Sequence, residues 1–213
     1  MGTHHIYIYI YIPSPPKRRH RIQATSMSTS TPASILATSN ALSASKARCN
    51  CQDAASVHTM AVIINMNPAK LILMDSFEYG LYEIERELKE KLISNDSGKD
   101  IEIVALLGSV CNSGHMQNSM MNFHVDTVYH VAAYKQVPMV EKNIVEGVQN
   151  NIFGTVIAAQ AAEKFKVKNF VLISTDKAVR PTNFMGATKR FSEQVLQALA
   201  QKEQSTKFSI VRF

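Results

Sequence analysis

From residue 70 onward, short apolar runs alternate with longer stretches of helical period, and this alternation restricts the possible folds more than any other feature of the chain. The runs Lys70–Asp75, Ile101–Leu107, Thr127–Ala133, Phe170–Ser174 and Lys207–Phe213 read as strands. Lys70–Asp75, apolar and ending in an acid, has the pattern of a buried parallel one. Between them, Leu81, Ile84, Leu88 and Leu92 recur at helical spacing, with Glu83, Glu85, Glu87, Lys89 and Lys91 on the other faces. Residues 115–123, 141–165 and 186–202 are further helix candidates. Strands separated by helices need crossover connections, which predicts an α/β fold with a doubly wound, parallel, Rossmann-like sheet. Ligands in such sheets bind beyond the carboxyl ends of the strands, so the polar residues just past each strand are the ones to examine.

The N-terminal part reads differently. Residues 1–52 carry Lys17, Arg18, Arg19, Arg21, Lys46 and Arg48 and no acidic residue. The whole chain has 23 basic and 17 acidic residues, so residues 53–213 hold 17 of each and are formally neutral. The net charge of +6 therefore belongs to the tail. A neutral domain offers no cluster of cations to a polyanion, and nucleic acid is not an expected partner. We expect residues 1–58 to form a low-complexity basic tail, disordered or transit-like, and 59–213 to form the folded domain. Within the tail, Ile6 to Ile12 alternate strictly between Ile and Tyr, as a strand does, but no partner lies nearby and Pro13-Ser14-Pro15-Pro16 follows. A TA dinucleotide repeat would also encode this segment.

The acid-free, Ser/Thr/Ala-rich stretch from Arg18 to Gln52 fits an organelle transit peptide and fits disorder equally. The expected location is cytoplasmic, with a plastid or mitochondrion as the alternative if the tail is a transit peptide. No run approaches the roughly 18 consecutive apolar residues of a membrane helix. Three cysteines, Cys49, Cys51 and Cys111, make no disulfide framework, and no Cys or His pair at ligand spacing points to a metal.

Asp75 closes the first apolar run. An acid there accepts hydrogen bonds from adenosine ribose hydroxyls in dinucleotide-binding folds, or it simply starts the following turn. A glycine-rich turn about 20 residues earlier would cradle a pyrophosphate, but residues 55–68 contain no glycine. Dinucleotide binding is therefore expected to be weak. After the third run come Ala132, Ala133, Tyr134 and Lys135; two small residues at a strand end permit close approach of a cofactor and equally permit close packing. Asn150 and Asn151, ahead of Gly154-Thr155, lie in a helical pattern where buried amides could tie the helix to a loop. The densest polar cluster is Ser174-Thr175-Asp176-Lys177, then Asn183 and Met185 to Lys189. A helix starting near Met185 puts Met185 and Lys189 on one face, one turn apart. Asp176 and Lys177 read on their own as an exposed ion pair in a loop.

Several stretches together resemble a known family. They are Asn67 to Asp75, Leu81-Tyr-Glu-Ile-Glu85, Val125 to Pro138, Asn150-Asn-Ile-Phe-Gly-Thr155, and the long run Phe170 to Arg190. The stretch from about Ala69 to Phe213 resembles the UDP-N-acetylglucosamine 4,6-dehydratases and capsular polysaccharide biosynthesis proteins of the extended short-chain dehydrogenase/reductase group. The resemblance implies a UDP-sugar substrate and catalytic NAD rather than NADP, with a 4-keto-6-deoxy sugar as product. It implies Asp176 as the acid for the C6 hydroxyl and Lys177 as the base for the C5 proton. Ser174 or Thr175 would hold the C4 oxygen, and Lys189 the nicotinamide ribose.

The resemblance further implies Asp75, Ala132, Ala133 and Tyr134 at the cofactor, and Lys135, Asn151 and Asn183 at the substrate. Met185 stands where most of the superfamily has a catalytic tyrosine; a thioether has no proton to exchange, and this assigns a branch of the family. Relatives also extend beyond both ends of the matched stretch, so the sheet is expected to be incomplete, lacking its first strand. The same resemblance suggests a homo-oligomer. A non-catalytic NAD or nucleotide-sugar binding module, or an inactive fragment, remains the alternative to an enzyme.

Overall fold

The computed structural model of the chain describes residues 6–13, 63–64, 66, 68–94, 101–202 and 205–213. The expectations for the rest of the tail, including Cys49 and Cys51, lie outside the described residues. The elements run β1 (Ile6–Pro13), β2 (Pro68–Asp75), α1 (Glu78–Ser94), β3 (Glu102–Leu107), α2 (Ser113–Phe123), β4 (Thr127–His130), α3 (Val137–Lys142) and α4 (Ile144–Val148). A π-helical turn at Gln149–Phe153 leads into α5 (Gly154–Lys164), then β5 (Asn169–Ser174), a 3-10 turn at Asp176–Ala178, α6 (Phe184–Ala200) and β6 (Lys207–Arg212).

The six strands form one sheet in the order β3-β2-β1-β4-β5-β6. β2 and β3, β4 and β5, and β5 and β6 pair in parallel, as the alternation of strands and helices requires. Helices cover both faces. Ile72 and Met74 of β2 join Val128, Phe170 and Leu172 in a core shared with α2, α5 and α6. Leu71 and Leu73, one residue out of phase, face Leu81, Ile84 and Leu88 of α1. All four β2 side chains are at most 1% exposed, and each such burial stabilises the fold by about 1.5–3 kcal/mol. The acidic and basic residues on the outer faces of α1 meet in exposed pairs one turn apart, such as Glu85–Lys89 and Glu87–Lys91. These contribute only a few tenths of a kcal/mol each.

Two expectations need correction. The Ile-Tyr segment of the tail is not without a partner: as β1 it lies between β2 and β4, antiparallel to both, with Ile10 opposite Ile72 on one side and Val128 on the other. The sheet is thus neither wholly parallel nor short of a strand at that position. β2 and β4 each present a row of backbone N–H and C=O groups to the gap between them, and a strictly alternating segment can satisfy both rows in either direction. Second, the third parallel strand ends at His130 and not at Ala133. Its pairing ends at His130 on both sides, opposite Ile8 of β1 and Leu172 of β5.

The long helix expected over 141–165 is likewise interrupted, first at Asn143 and then by the π-helical turn. Such turns inside helices frequently mark functional sites.

Candidate active site

The carboxyl ends of β2, β4 and β5 bring together most of the polar residues that the sequence singles out. Asp75 ends β2 and is fully buried. Its Oδ1 accepts the Phe77 backbone N–H at 2.8 Å, whereas Oδ2 has no hydrogen-bond partner. Burial pushes its pKa up to about 7, against the opposing effect of backbone bonds from Phe77 and Ser76. A buried carboxyl oxygen without a donor, at this end of the sheet, suits the hydroxyls of a ribose. To that extent the residues fit NAD. The pyrophosphate cradle does not: β1 brings its N-terminal end, Ile6, beside Asp75, where a parallel strand would bring its C-terminal end and the turn that follows.

Beyond β4, Ala132 is buried and Ala133, Tyr134 and Lys135 are partly so. This segment is held by Asn151, which is fully buried in the π-helical turn. The Asn151 Oδ1 accepts the Tyr134 N–H at 2.6 Å, and its Nδ2 donates to the Tyr134 carbonyl at 3.1 Å and to Thr188 Oγ1 at 2.9 Å. The amide thereby takes both backbone hydrogen-bonding groups of Tyr134, four residues past the end of β4. Thr155 Oγ1 donates to the Asn151 carbonyl at 2.6 Å and so accepts from His130 Nε2 at 2.9 Å, which makes His130 the Nε2–H tautomer. Ser192 of α6 also donates to the Asn151 carbonyl, at 2.7 Å. Burial, together with the charge of Lys189, lowers the His130 pKa to about 3, so the ring stays neutral.

Asn151 was expected at the substrate; every polar atom of its amide is instead engaged inside the protein, where it joins the β4 loop to α6. Replacing Asn151 by Ala strands the backbone of Tyr134 and should destabilise the fold by about 2–3 kcal/mol, read as an earlier urea midpoint.

The third group follows β5. Thr175, Asp176 and Lys177 come directly after Ser174, and the 3-10 turn closes with Ala178 N–H donating to the Thr175 carbonyl at 3.1 Å. Thr175 Oγ1 donates to Asp176 Oδ1 at 2.9 Å, and the Asp176 N–H donates to the carbonyl of Phe213 at 3.1 Å. Asp176 and Lys177 are exposed just past the carboxyl end of β5. Lys177 lies close enough to Lys135 that its charge, after burial as the larger cause, lowers the Lys135 pKa. The helix that follows starts where expected: Asn183 caps α6, its Oδ1 accepting the Gly186 N–H at 2.8 Å. Asn183, expected at the substrate, thus has its amide oxygen committed to the helix end.

Met185 and Lys189 lie one turn apart on the inner face of α6, 2% and 4% exposed. Burial lowers the Lys189 pKa to about 8 in spite of the nearby Glu193 carboxylate.

Ser174 stands apart from this group. It is buried, and its hydroxyl donates to Glu193 Oε1 at 2.7 Å. Glu193, fully buried, also accepts Arg212 Nε at 2.8 Å and Nη2 at 2.7 Å, and Arg190 Nη1 at 2.9 Å. Of the pair Ser174 and Thr175, only Thr175 has its hydroxyl on the side of Asp176. Sequence reading missed Glu193, Arg212, Thr188, Ser192 and His130. The available signal was polar residues at positions 188, 192 and 193, on the same face of α6 as Met185 and Leu196, where a helical pattern calls for apolar ones. Among the described residues, no cluster of His, Cys, Asp and Glu could hold a metal ion, and no helix is long and apolar enough to cross a membrane.

Residues 56–213 match the family described as polysaccharide biosynthesis protein. The chain belongs to that family. It is 42% identical to the capsular polysaccharide biosynthesis protein CapD of Staphylococcus aureus over 151 residues, which is 71% of this chain and 24% of CapD. Over 159 residues, 73% of this chain, it is 30% identical to the inverting UDP-N-acetylglucosamine 4,6-dehydratase of Campylobacter jejuni and spans 44% of that protein. The X-ray structure of Pen from Bacillus thuringiensis is similar with a TM-score of 0.63 and 30% identity, over 74% of this chain and 45% of that one. This family member thus spans less than half the length of these relatives.

Proposed function

We propose that this domain performs nucleotide-sugar 4,6-dehydration, with UDP-N-acetylglucosamine as substrate and NAD as cofactor. The observation that carries the proposal is the placement of Thr175, Asp176 and Lys177 at the carboxyl end of β5, beside the helix that buries Met185 and Lys189. The similarity to the Campylobacter dehydratase supports the choice of substrate. Asp75 would hold the adenosine ribose and Lys189 the nicotinamide ribose. When bound there, NAD would supply hydride transfer with no net redox change over the cycle.

The elimination between these transfers falls to the chain's own groups. Asp176 gives a proton to the departing C6 hydroxyl, and Lys177 removes the C5 proton, so that one water leaves across C5–C6. Thr175 holds the C4 oxygen; the Ser174 hydroxyl is engaged by Glu193 and serves the scaffold. The buried thioether of Met185 contacts no proton-transfer step, which leaves acid and base together on one short turn.

The test is turnover of UDP-N-acetylglucosamine by the 213-residue chain with NAD added, followed as the 4-keto product. Asp176→Asn and Lys177→Met should each lower kcat by about 10²–10⁴-fold. Elimination retained in either variant removes that residue from its role. NAD binding without any turnover by the unmodified chain would replace the enzyme with a binding module of the same fold.

A further inference from the structure

We propose that Gly186 is a positioning residue for Lys177: the bare Cα at this point of α6 is the seat on which the Asp176–Ala178 turn rests. A Cβ added at Gly186 would lie 2.5 Å from the Lys177 carbonyl oxygen, 3.2 Å from its carbonyl carbon and 3.3 Å from Asn183 Oδ1. None of these atoms can swing aside as a side-chain tip does. The first two are backbone, and the third is already accepting the Gly186 N–H as the cap of the helix. The other described glycines that would be crowded by a Cβ meet side chains, such as Val110 at Gly154 and Val140 at Gly147.

Helix formation does not ask for glycine here. Gly186 sits within the first turn of α6 and shows no left-handed backbone, and alanine is the better helix former. The turn it supports is fixed at its other end, through the Asp176 N–H bond to Phe213 and the buried Ala178. A methyl group at Gly186 would therefore push Lys177 and its neighbours outward, by about 1 Å if ordinary contact is restored. A displacement of about 1 Å at a reacting group is enough to lower a rate by about 10²-fold.

The inference rests on the role given to Lys177 above, and its test separates the two. One readout needs no turnover: the acetylation rate of Lys177 relative to Lys207, read by mass spectrometry on the full chain. Gly186→Ala should change this ratio by more than about 3-fold while thermal unfolding stays cooperative, and an unchanged ratio overturns the seat whatever the enzyme does. The second readout is kinetic. Gly186→Ala should lower kcat by about 10²-fold with KM within about 3-fold of the parent, and it should have no further effect in a Lys177→Met background.

Gly154→Ala, crowded equally but away from the turn, should lose stability and keep kcat. Equal kcat losses at both glycines, or a Gly186→Ala chain that fails to fold, would show a purely structural glycine and overturn the proposal. A parent chain without dehydration, whose Lys177 acetylation nevertheless responds to Gly186→Ala, would sink the functional reading and keep the seat.

Discussion

Glu193→Ala should destabilise the domain by about 2–4 kcal/mol, somewhat below the 3–5 kcal/mol of breaking a fully buried ion pair. Glu193 is itself inaccessible, but the Arg190 and Arg212 side chains are 39% and 40% exposed and recover part of their hydration when the carboxylate is removed. What is lost is a three-way junction, in which one carboxylate holds the end of β5 through Ser174, the end of β6 through Arg212, and its own helix through Arg190. Glu193→Gln preserves the volume and one acceptor and should fall between the parent and the alanine variant.

The pH dependence follows from the same group. Burial alone would raise the Glu193 pKa, but the hydrogen bonds from Arg212, Ser174 and Arg190 outweigh it and hold the group at about 2. A carboxylate depressed in the folded state stabilises fully above its unfolded value, near 4.5, and its contribution disappears as pH falls toward 2. Urea midpoints of the parent should therefore drop through that window, and those of Glu193→Gln should drop less. Parallel acid limbs would mean that the network is not held by the ionised carboxylate.

Asp75 should behave in the opposite sense. Its folded-state pKa is raised from 3.8 to about 7, so the native protein keeps a proton that the unfolded chain has already released. The stability this gives is fully present below about pH 3.8 and is lost as pH rises through 7. Asp75→Asn removes the titration, and its stability relative to the parent should grow by on the order of 3–4 kcal/mol between pH 4 and pH 8. Chemical unfolding of both proteins at pH 4, 6 and 8 reads the effect directly, and a constant difference would contradict the buried, donor-free Oδ2. Hydroxyl donors at Oδ2 would favour the ionised form. Under the proposed function, NAD should accordingly bind more weakly below pH 7 in the parent, with no such trend in Asp75→Asn.

Much of the scaffold was legible in the sequence because it depends on local periodicity. The period of two or the unbroken apolar run fixes a strand, so β2, β3, β5 and β6 fall where the pattern puts them. The partial exposure of β3 and β6 follows instead from their places at the two edges of the sheet. The spacing of Met185 and Lys189 fixes their shared helix face, and Asn183 marks the start of that helix by its capping chemistry. Even the π-helical turn sits at the adjacent asparagines whose burial the sequence raised as a question.

Tertiary structure decided the remainder, because it concerns groups far apart in the chain competing for the same partners. Strict alternation in β1 carries no information about strand direction, and only the gap between β2 and β4 gave it a place and an antiparallel sense. The segment after β4 is held by an amide 17 residues beyond Tyr134, which takes the backbone N–H and C=O there. Ser174 and Thr175 are indistinguishable as neighbouring hydroxyls in sequence. A carboxylate 19 residues on from Ser174, brought alongside by α6, turns one into scaffold and leaves the other beside Asp176. Period is set by covalent geometry within a few residues, whereas the choice of hydrogen-bond partner is set by distances that exist only once the chain has folded.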